Sequence, residues 1–91
     1  MSSDARDDAI ARRRQQRTAF MNELYDRVDA SVSEFVNGYD LAEHLGIARA
    51  EAAKLFTYFE EKGFIKVDDH REGTLRITSS GIDHVEAQEE Q

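Results

Sequence analysis

The chain has 91 residues and no cysteine, so we expect a single domain and exclude disulfides, thiolate metal sites and a cysteine nucleophile. Nineteen acidic residues against twelve basic ones give a net charge of −7, which is unusual for a nucleic-acid-binding protein. No apolar run approaches the roughly 20 residues that span a bilayer, and MSSDARDDAI lacks the apolar core of a secretory signal, so we expect a cytoplasmic protein with no membrane partner.

The charge is distributed unevenly along the chain. Residues 1–17 are basic, with five arginines against three aspartates. Residues 18–47 have one arginine against six acids, and residues 78–91 have four acids with no lysine or arginine. Residues 48–63 and 64–77 are each balanced at three against three. The segments that would face a nucleic acid are therefore neutral, and a basic arm precedes them.

A long first helix is predicted at about residues 8–30, a stretch without proline or glycine. The apolar side chains of this region recur at spacings of one, three and four: Phe20, Met21, Leu24, Tyr25, Val28 and Val32. Before Thr18 this stripe is nearly absent. We therefore divide the chain into a basic N-terminal arm or polar helix extension at 1–17, a folded domain at 18–87 and a frayed tail at 88–91.

Two shorter helices are predicted at 38–45 and 49–62. Asn37 is suited to cap the first helix, and Gly46 ends it because glycine accepts a left-handed conformation. The second helix lacks a capping side chain, since Ala48 stands where serine or threonine is usual. Two helices joined by a short turn that contains glycine are typical of the helix-turn-helix unit.

A hairpin at 64–77 and a last helix at 79–87 complete the pattern, and the β-prone Phe35 and Val36 favour a short edge strand. The order predicts an α+β, mainly helical fold: a winged helix-turn-helix with a long N-terminal helix and a two-stranded wing. The predicted core consists of Leu24, Val28, Leu41, Leu45, Ile47, Leu55, Phe59, Ile65, Ile77 and Ile82.

Residues 40–67, DLAEHLGIARAEAAKLFTYFEEKGFIKV, resemble the core of MarR-type and related winged helix regulators. The shared features are an apolar pair in the first helix, leucine-glycine-isoleucine at the turn and glutamate-lysine-glycine-aromatic-isoleucine at the strand entry: Leu41-Ala42, 45–47 and 61–65. LRITSSGIDHVE is similar to the second wing strand and final helix of such proteins. The likeness covers residues 18–87, extends to uncharacterised prokaryotic winged helix domains, and implies a DNA-binding transcription regulator.

In the helix-turn-helix docking mode the second helix enters the major groove. The outward side chains of helix 49–62 are therefore the predicted DNA contacts: Arg49, Ala50, Glu51, Ala53, Lys54, Thr57 and Tyr58. Arg49 suits guanine, Glu51 suits cytosine N4, and Lys54 suits a phosphate. Ala48 and Glu51 depart from the family pattern, where serine and threonine contact phosphate. The alternative interpretation is a solvated face on which these charges neutralise one another.

Two further groups of basic residues have two interpretations each. His70 and Arg71 at the tip of the wing are predicted to reach the minor groove, or to form only an exposed charged turn beside neighbouring acids. The cluster Arg12, Arg13, Arg14 and Arg17 suits phosphates or an acidic partner. For this cluster we favour a solvated helix with pairs such as Asp8–Arg12.

We expect no enzymatic activity, no catalytic residues, no metal site and no cofactor. The three histidines lie on different predicted elements without ligand spacing, and no nucleophile elbow or phosphate-binding glycine loop is present. The expected function is a transcription regulator that binds double-stranded DNA, reading the major groove with helix 49–62 and the minor groove with the wing. The alternative is an acidic winged helix module that binds proteins and not DNA.

A homodimer is predicted through the long first helix. That helix carries two adjacent apolar columns: Phe20–Leu24–Val28 and Met21–Tyr25–Val32. One column suffices to cover the two shorter helices, so the other would lie exposed unless a second copy covered it. A two-fold dimer would also place two recognition helices about one DNA turn apart. The alternative is that the second column packs under the loop at 30–36.

Overall fold

The computed structural model describes the backbone of residues 2–89 and the side chains of residues 5–89. The elements in chain order are α1 (Ser2–Val28), β1 (Val36–Asn37), α2 (Gly38–His44), α3 (Arg49–Lys62), β2 (Ile65–Asp69), β3 (Thr74–Ile77) and α4 (Ser79–Glu89). The fold is α+β and mainly helical, with one small antiparallel sheet, which confirms the predicted class.

The sheet has three strands in the order β1-β3-β2, where the sequence predicted a two-stranded wing and a separate edge strand. The predicted hairpin is confirmed, since Ile65 pairs with Ile77 and Val67 with Leu75 in an antiparallel register. The predicted edge strand forms at Val36–Asn37 and adds to β3 on the side away from β2. The strand between α1 and α2 is therefore joined to the hairpin in one sheet.

Local capping signals set the ends of α2 and α3. The side-chain oxygen of Asn37 accepts a hydrogen bond of 3.0 Å from the backbone N–H of Asp40, which confirms the predicted cap of α2. The start of α3 has no side-chain cap at Ala48, as expected. Its C-terminal end is Gly63, at φ 78°, a left-handed conformation that glycine adopts without a steric penalty.

α1 and α4 are longer than predicted. α1 begins at Ser2 and is continuous through the polar arm. No proline or glycine interrupts this segment, and its polar residues are compatible with a helix even where no apolar stripe is present. It ends at Val28, where Asp29 and Ala30 take left-handed conformations. α4 runs through Glu89, two residues beyond the predicted end, and residues 90–91 of the expected tail lie outside the described residues.

The core lies where α1, α3 and the sheet meet. Eight of the ten predicted core residues are buried, while Leu45 and Ile82 are only partly buried and pack against the core. The ring of Phe20 lies 5.8 Å from the rings of both Phe56 and Phe59, which joins α1 to α3. The buried residues missing from the predicted core are Phe20, Met21, Ala42, Ala52, Phe56, Leu75 and Val85.

The second apolar column of α1 is not left exposed at Met21 and Tyr25, contrary to the prediction on which the homodimer rested. Met21 is only 2% exposed within the single chain, α4 packs on α1, and Val85 of α4 is equally buried. The hydroxyl of Tyr25 donates a hydrogen bond of 2.8 Å to Glu86, again on α4. The loop before β1 does not cover this column, since Val32 and Phe35 are themselves exposed. The homodimer stays a prediction without this support, which sedimentation equilibrium tests.

Candidate nucleic-acid interface

The predicted contact residues of α3 lie on three different sides of the helix. Each residue turns the helix by about 100°, so side chains that are close in sequence separate around the axis. On the side opposite the core, residues 50–57 carry four exposed residues, here called the outer strip: Ala50, Ala53, Lys54 and Thr57. The hairpin contacts one edge of α3, and α1 contacts the other. The seven predicted contacts of α3 therefore do not form one uniform surface.

Arg49 lies on the hairpin side of α3, where two contacts hold its side chain. Its guanidinium carbon lies 3.7 Å from the ring centroid of Tyr39 in α2. One of its terminal nitrogens donates a hydrogen bond of 3.3 Å to the backbone carbonyl of Arg71 in the hairpin turn. Tyr39 in turn donates from its hydroxyl to the carbonyl of His70, at 3.3 Å. The hydrogen bond uses one of the five N–H donors of Arg49, and the two contacts together fix the position from which the other donors could reach a base.

The hairpin turn at 70–73 is fixed in place and rests on α2 and α3. The carboxylate of Asp69 accepts hydrogen bonds from the backbone N–H groups of Arg71 and Glu72, at 2.9 and 3.1 Å. Gly73 has φ +78°, and a Cβ there would collide with the ring of Tyr39, so only glycine fits. His70 pairs with Glu60 of α3 at 3.0 Å. The side chain of Arg71 is exposed.

The opposite side of α3 faces the polar first half of α1. The side-chain amide of Gln16 donates a hydrogen bond of 2.8 Å to the carboxylate of Glu51. The guanidinium carbon of Arg17 lies 4.0 Å from the ring centroid of Tyr58, which is half-buried. Glu51 and Tyr58 therefore contact α1, and the prediction that they project outward with Arg49 into one groove is not what this geometry favours.

A cleft of about 350 Å³ lies between these two helices and is here called the α1–α3 cleft. Its lining residues are Arg12, Arg13, Gln16, Arg17, Glu51, Lys54, Leu55 and Tyr58. Among residues 5–89, neither the expected Asp8–Arg12 pair nor any other salt bridge involves these arginines. The arginines at 12, 13 and 17 therefore line a cleft against α3, where the sequence favoured a purely solvated helix face.

The structure thus brings the predicted residues together in groups. Arg49, His70 and Arg71 meet at the hairpin, and Ala50, Ala53, Lys54 and Thr57 form the outer strip. Sequence reasoning missed Tyr39, Asp69 and Gln16, which position the groups on either side of α3. Only Asp69 had a local signal, because an aspartate before a glycine-containing turn often accepts from backbone N–H groups. The contacts of Tyr39 and Gln16 span 31 and 35 residues of sequence.

No three His, Asp or Glu side chains converge in the described part of the chain in a way that would hold a metal ion. No helix there combines the length and the apolar character needed to cross a bilayer. Comparisons with protein-family models, with curated proteins and with solved structures give no match to this chain.

Proposed function

We propose that this chain is a winged helix-turn-helix domain that binds double-stranded DNA as a transcription regulator. The order α1-β1-α2-α3-β2-β3-α4 supports this fold, because an antiparallel hairpin follows the two helices and their short turn. In this proposal α3 enters the major groove and the exposed side chain of Arg71 reaches the neighbouring minor groove. The domain acts by binding and carries out no catalysis.

The outer strip carries the proposal. Its four side chains are exposed on one side of α3 over residues 50–57, and two of them are alanines. The exposed Glu61 follows one turn later on the same side. Small side chains let a helix backbone approach base edges closely, and a major groove about 12 Å wide admits an α-helix. Thr57 and Lys54 supply a hydroxyl and an ammonium group for bases or phosphates.

A second candidate function is an acidic module that binds a protein. Glu60 and Glu61 are exposed near the C-terminal end of α3, and the chain as a whole has a net charge of −7. Carboxylates at this end of α3 repel phosphates, which favours a basic protein partner over DNA. The pairing of Glu60 with His70 offsets one of these two charges when the histidine is protonated.

Fluorescence anisotropy with random-sequence duplex DNA at low salt tests the first function. The wild type binds, and its affinity falls steeply as salt rises because counterions are released from the DNA. Ala53→Glu places a carboxylate at the centre of the outer strip and weakens binding at least about tenfold, since it repels the phosphates around the groove. Ala87→Glu adds the same charge at an exposed helical alanine of α4 and changes affinity less than about twofold.

Two outcomes would contradict the proposal. If the wild type shows no DNA binding at about 50 mM salt, the acidic protein-binding function is favoured. If Ala53→Glu and Ala87→Glu weaken binding equally, the DNA does not dock on α3. Circular dichroism of both variants must show an unchanged helix content for the comparison to count.

A further inference from the structure

We infer that the α1–α3 cleft is a phosphate-binding site that holds the backbone of one DNA strand beside the outer strip. Arg12 and Arg13 would be its principal contacts. The inference rests on the proposed DNA binding, and it adds α1 as a second element that holds the duplex.

The α1–α3 cleft is positively charged. The cleft is lined by three arginines and one lysine against a single glutamate, a net charge of +3 in a chain whose total is −7. Like charges gathered around one cleft repel one another, and a bound anion relieves this repulsion. Phosphate is the anion that guanidinium groups match best, because their N–H groups bind its oxygens in pairs.

The contacts within the cleft leave Arg12 and Arg13 available to a ligand. Gln16 holds the carboxylate of Glu51, and Arg17 lies against the ring of Tyr58. These two contacts fix α1 against α3. Arg12 and Arg13 are exposed and form no salt bridge within the part of the chain that the structure describes. The helix therefore fixes the positions of Arg12 and Arg13, and no acidic side chain among the described residues pairs with them.

The cleft is continuous with the outer strip. Lys54 belongs both to that strip and to the lining of the cleft. A DNA strand that borders the groove occupied by α3 would pass Lys54 and then meet Arg12 and Arg13. The volume of about 350 Å³ is within the range of roughly 300 to 1,000 Å³ that ligand-binding clefts have.

Helix geometry supplies a matched control at the next residue. Arg14 follows Arg13 in sequence, yet it lines a different groove, with Phe64 and His84. Arg13→Ala and Arg14→Ala therefore remove the same charge from adjacent positions of α1, and only the first removes it from the α1–α3 cleft. Both side chains are exposed, so neither change disturbs the core.

DNA affinity measured across a series of salt concentrations tests the inference. Each lost phosphate contact lowers the slope of log affinity against log salt by about 0.9, which corresponds to about a tenfold loss of affinity at 0.1 M salt. We expect this effect for Arg13→Ala, twice this change for Arg12→Ala combined with Arg13→Ala, and an unchanged slope for Arg14→Ala. Melting temperatures of all variants check that each one folds.

The outcomes separate this inference from the proposed function. If the wild type binds no DNA at any salt concentration, both fail. If the wild type binds DNA and Arg13→Ala has the same salt slope as Arg14→Ala, the cleft inference fails while DNA binding by α3 stands. A free phosphate compound is the other source of the same anion, and inorganic pyrophosphate tests it. If pyrophosphate raises the melting temperature, Arg13→Ala removes the rise, and the DNA slope stays unchanged, the cleft does not serve a DNA strand.

Discussion

The two sides of α3 carry arginines in different situations. On the hairpin side, Arg49 lies on the ring of Tyr39 and donates to the carbonyl of Arg71. On the α1 side, Arg12 and Arg13 are exposed at the mouth of a cleft and form no salt bridge among residues 5–89. The contacts of Arg49 hold the hairpin turn against α2 and α3, whereas the guanidinium groups of Arg12 and Arg13 are exposed to solvent.

This difference indicates that an exposed position on α3 does not by itself leave an arginine free to bind a ligand. A guanidinium that is already stacked and hydrogen-bonded binds a base only from that fixed position, unless it gives up contacts of about 0.5–1.5 kcal/mol each. A guanidinium without such contacts can adopt more positions, and it gives up hydration and side-chain freedom when it binds. We therefore assign Arg49 mainly to the architecture of the hairpin, and we look to the α1 side for phosphate binding.

The largest expected effect is on stability, and it comes from weakening the packing of α1 against α3. Without this packing the α1 side of α3 would no longer form the cleft with which the hairpin side is compared. Phe20 is fully buried against Phe56 and Phe59, so Phe20→Ala is expected to cost about 3–5 kcal/mol of the free energy of unfolding. Phe35→Ala is the control, because Phe35 is 55% exposed and its loss should cost less than about 0.5 kcal/mol. Urea denaturation measures both, and similar costs would contradict this packing.

An intermediate effect is expected on the hairpin side and would sharpen the comparison. A double-mutant cycle of Tyr39→Leu and Arg49→Ala should give a coupling of about 0.5–1 kcal/mol, because the guanidinium lies over the ring. The cycle of Tyr39→Leu with Arg71→Ala should give almost no coupling. Arg71 accepts from Arg49 through its backbone carbonyl, which the substitution leaves in place. Equal couplings in the two cycles would show that Arg49 is not held in the way described.

The smallest effect concerns the contact that holds α1 on α4. The hydrogen bond to Glu86 raises the pKa of Tyr25 above its ordinary value of about 10, and some desolvation and the charges of Glu86, Asp29 and Asp26 add to this. A raised pKa means that the stabilisation is present below pH 10 and is lost as the pH rises further. Glu86→Gln should lower the pKa of Tyr25 in an ultraviolet titration of the phenol, while Glu89→Gln should leave it unchanged. A Tyr25 pKa that does not respond to Glu86→Gln would contradict this contact.

The sequence by itself determined the elements and most of their ends. The apolar spacing predicted α1, α2 and α3, and the alternation of apolar residues predicted the pairing of the hairpin strands. Asn37 and Gly63 set helix ends because capping depends on hydrogen bonds and backbone conformation within a few residues. Such signals are local, and a single sequence displays them.

Only the tertiary structure decided which surfaces those elements share. The apolar pattern of α1 could not show that the chain itself, and not a second copy, buries Met21, because a periodic stripe does not indicate which segment packs against it. Nor could it show that Gln16 meets Glu51, since helix packing joins residues 35 positions apart without any local signal. The sequence therefore determined which helices form, whereas packing between distant segments decided which side of α3 is open and where the arginines of α1 lie.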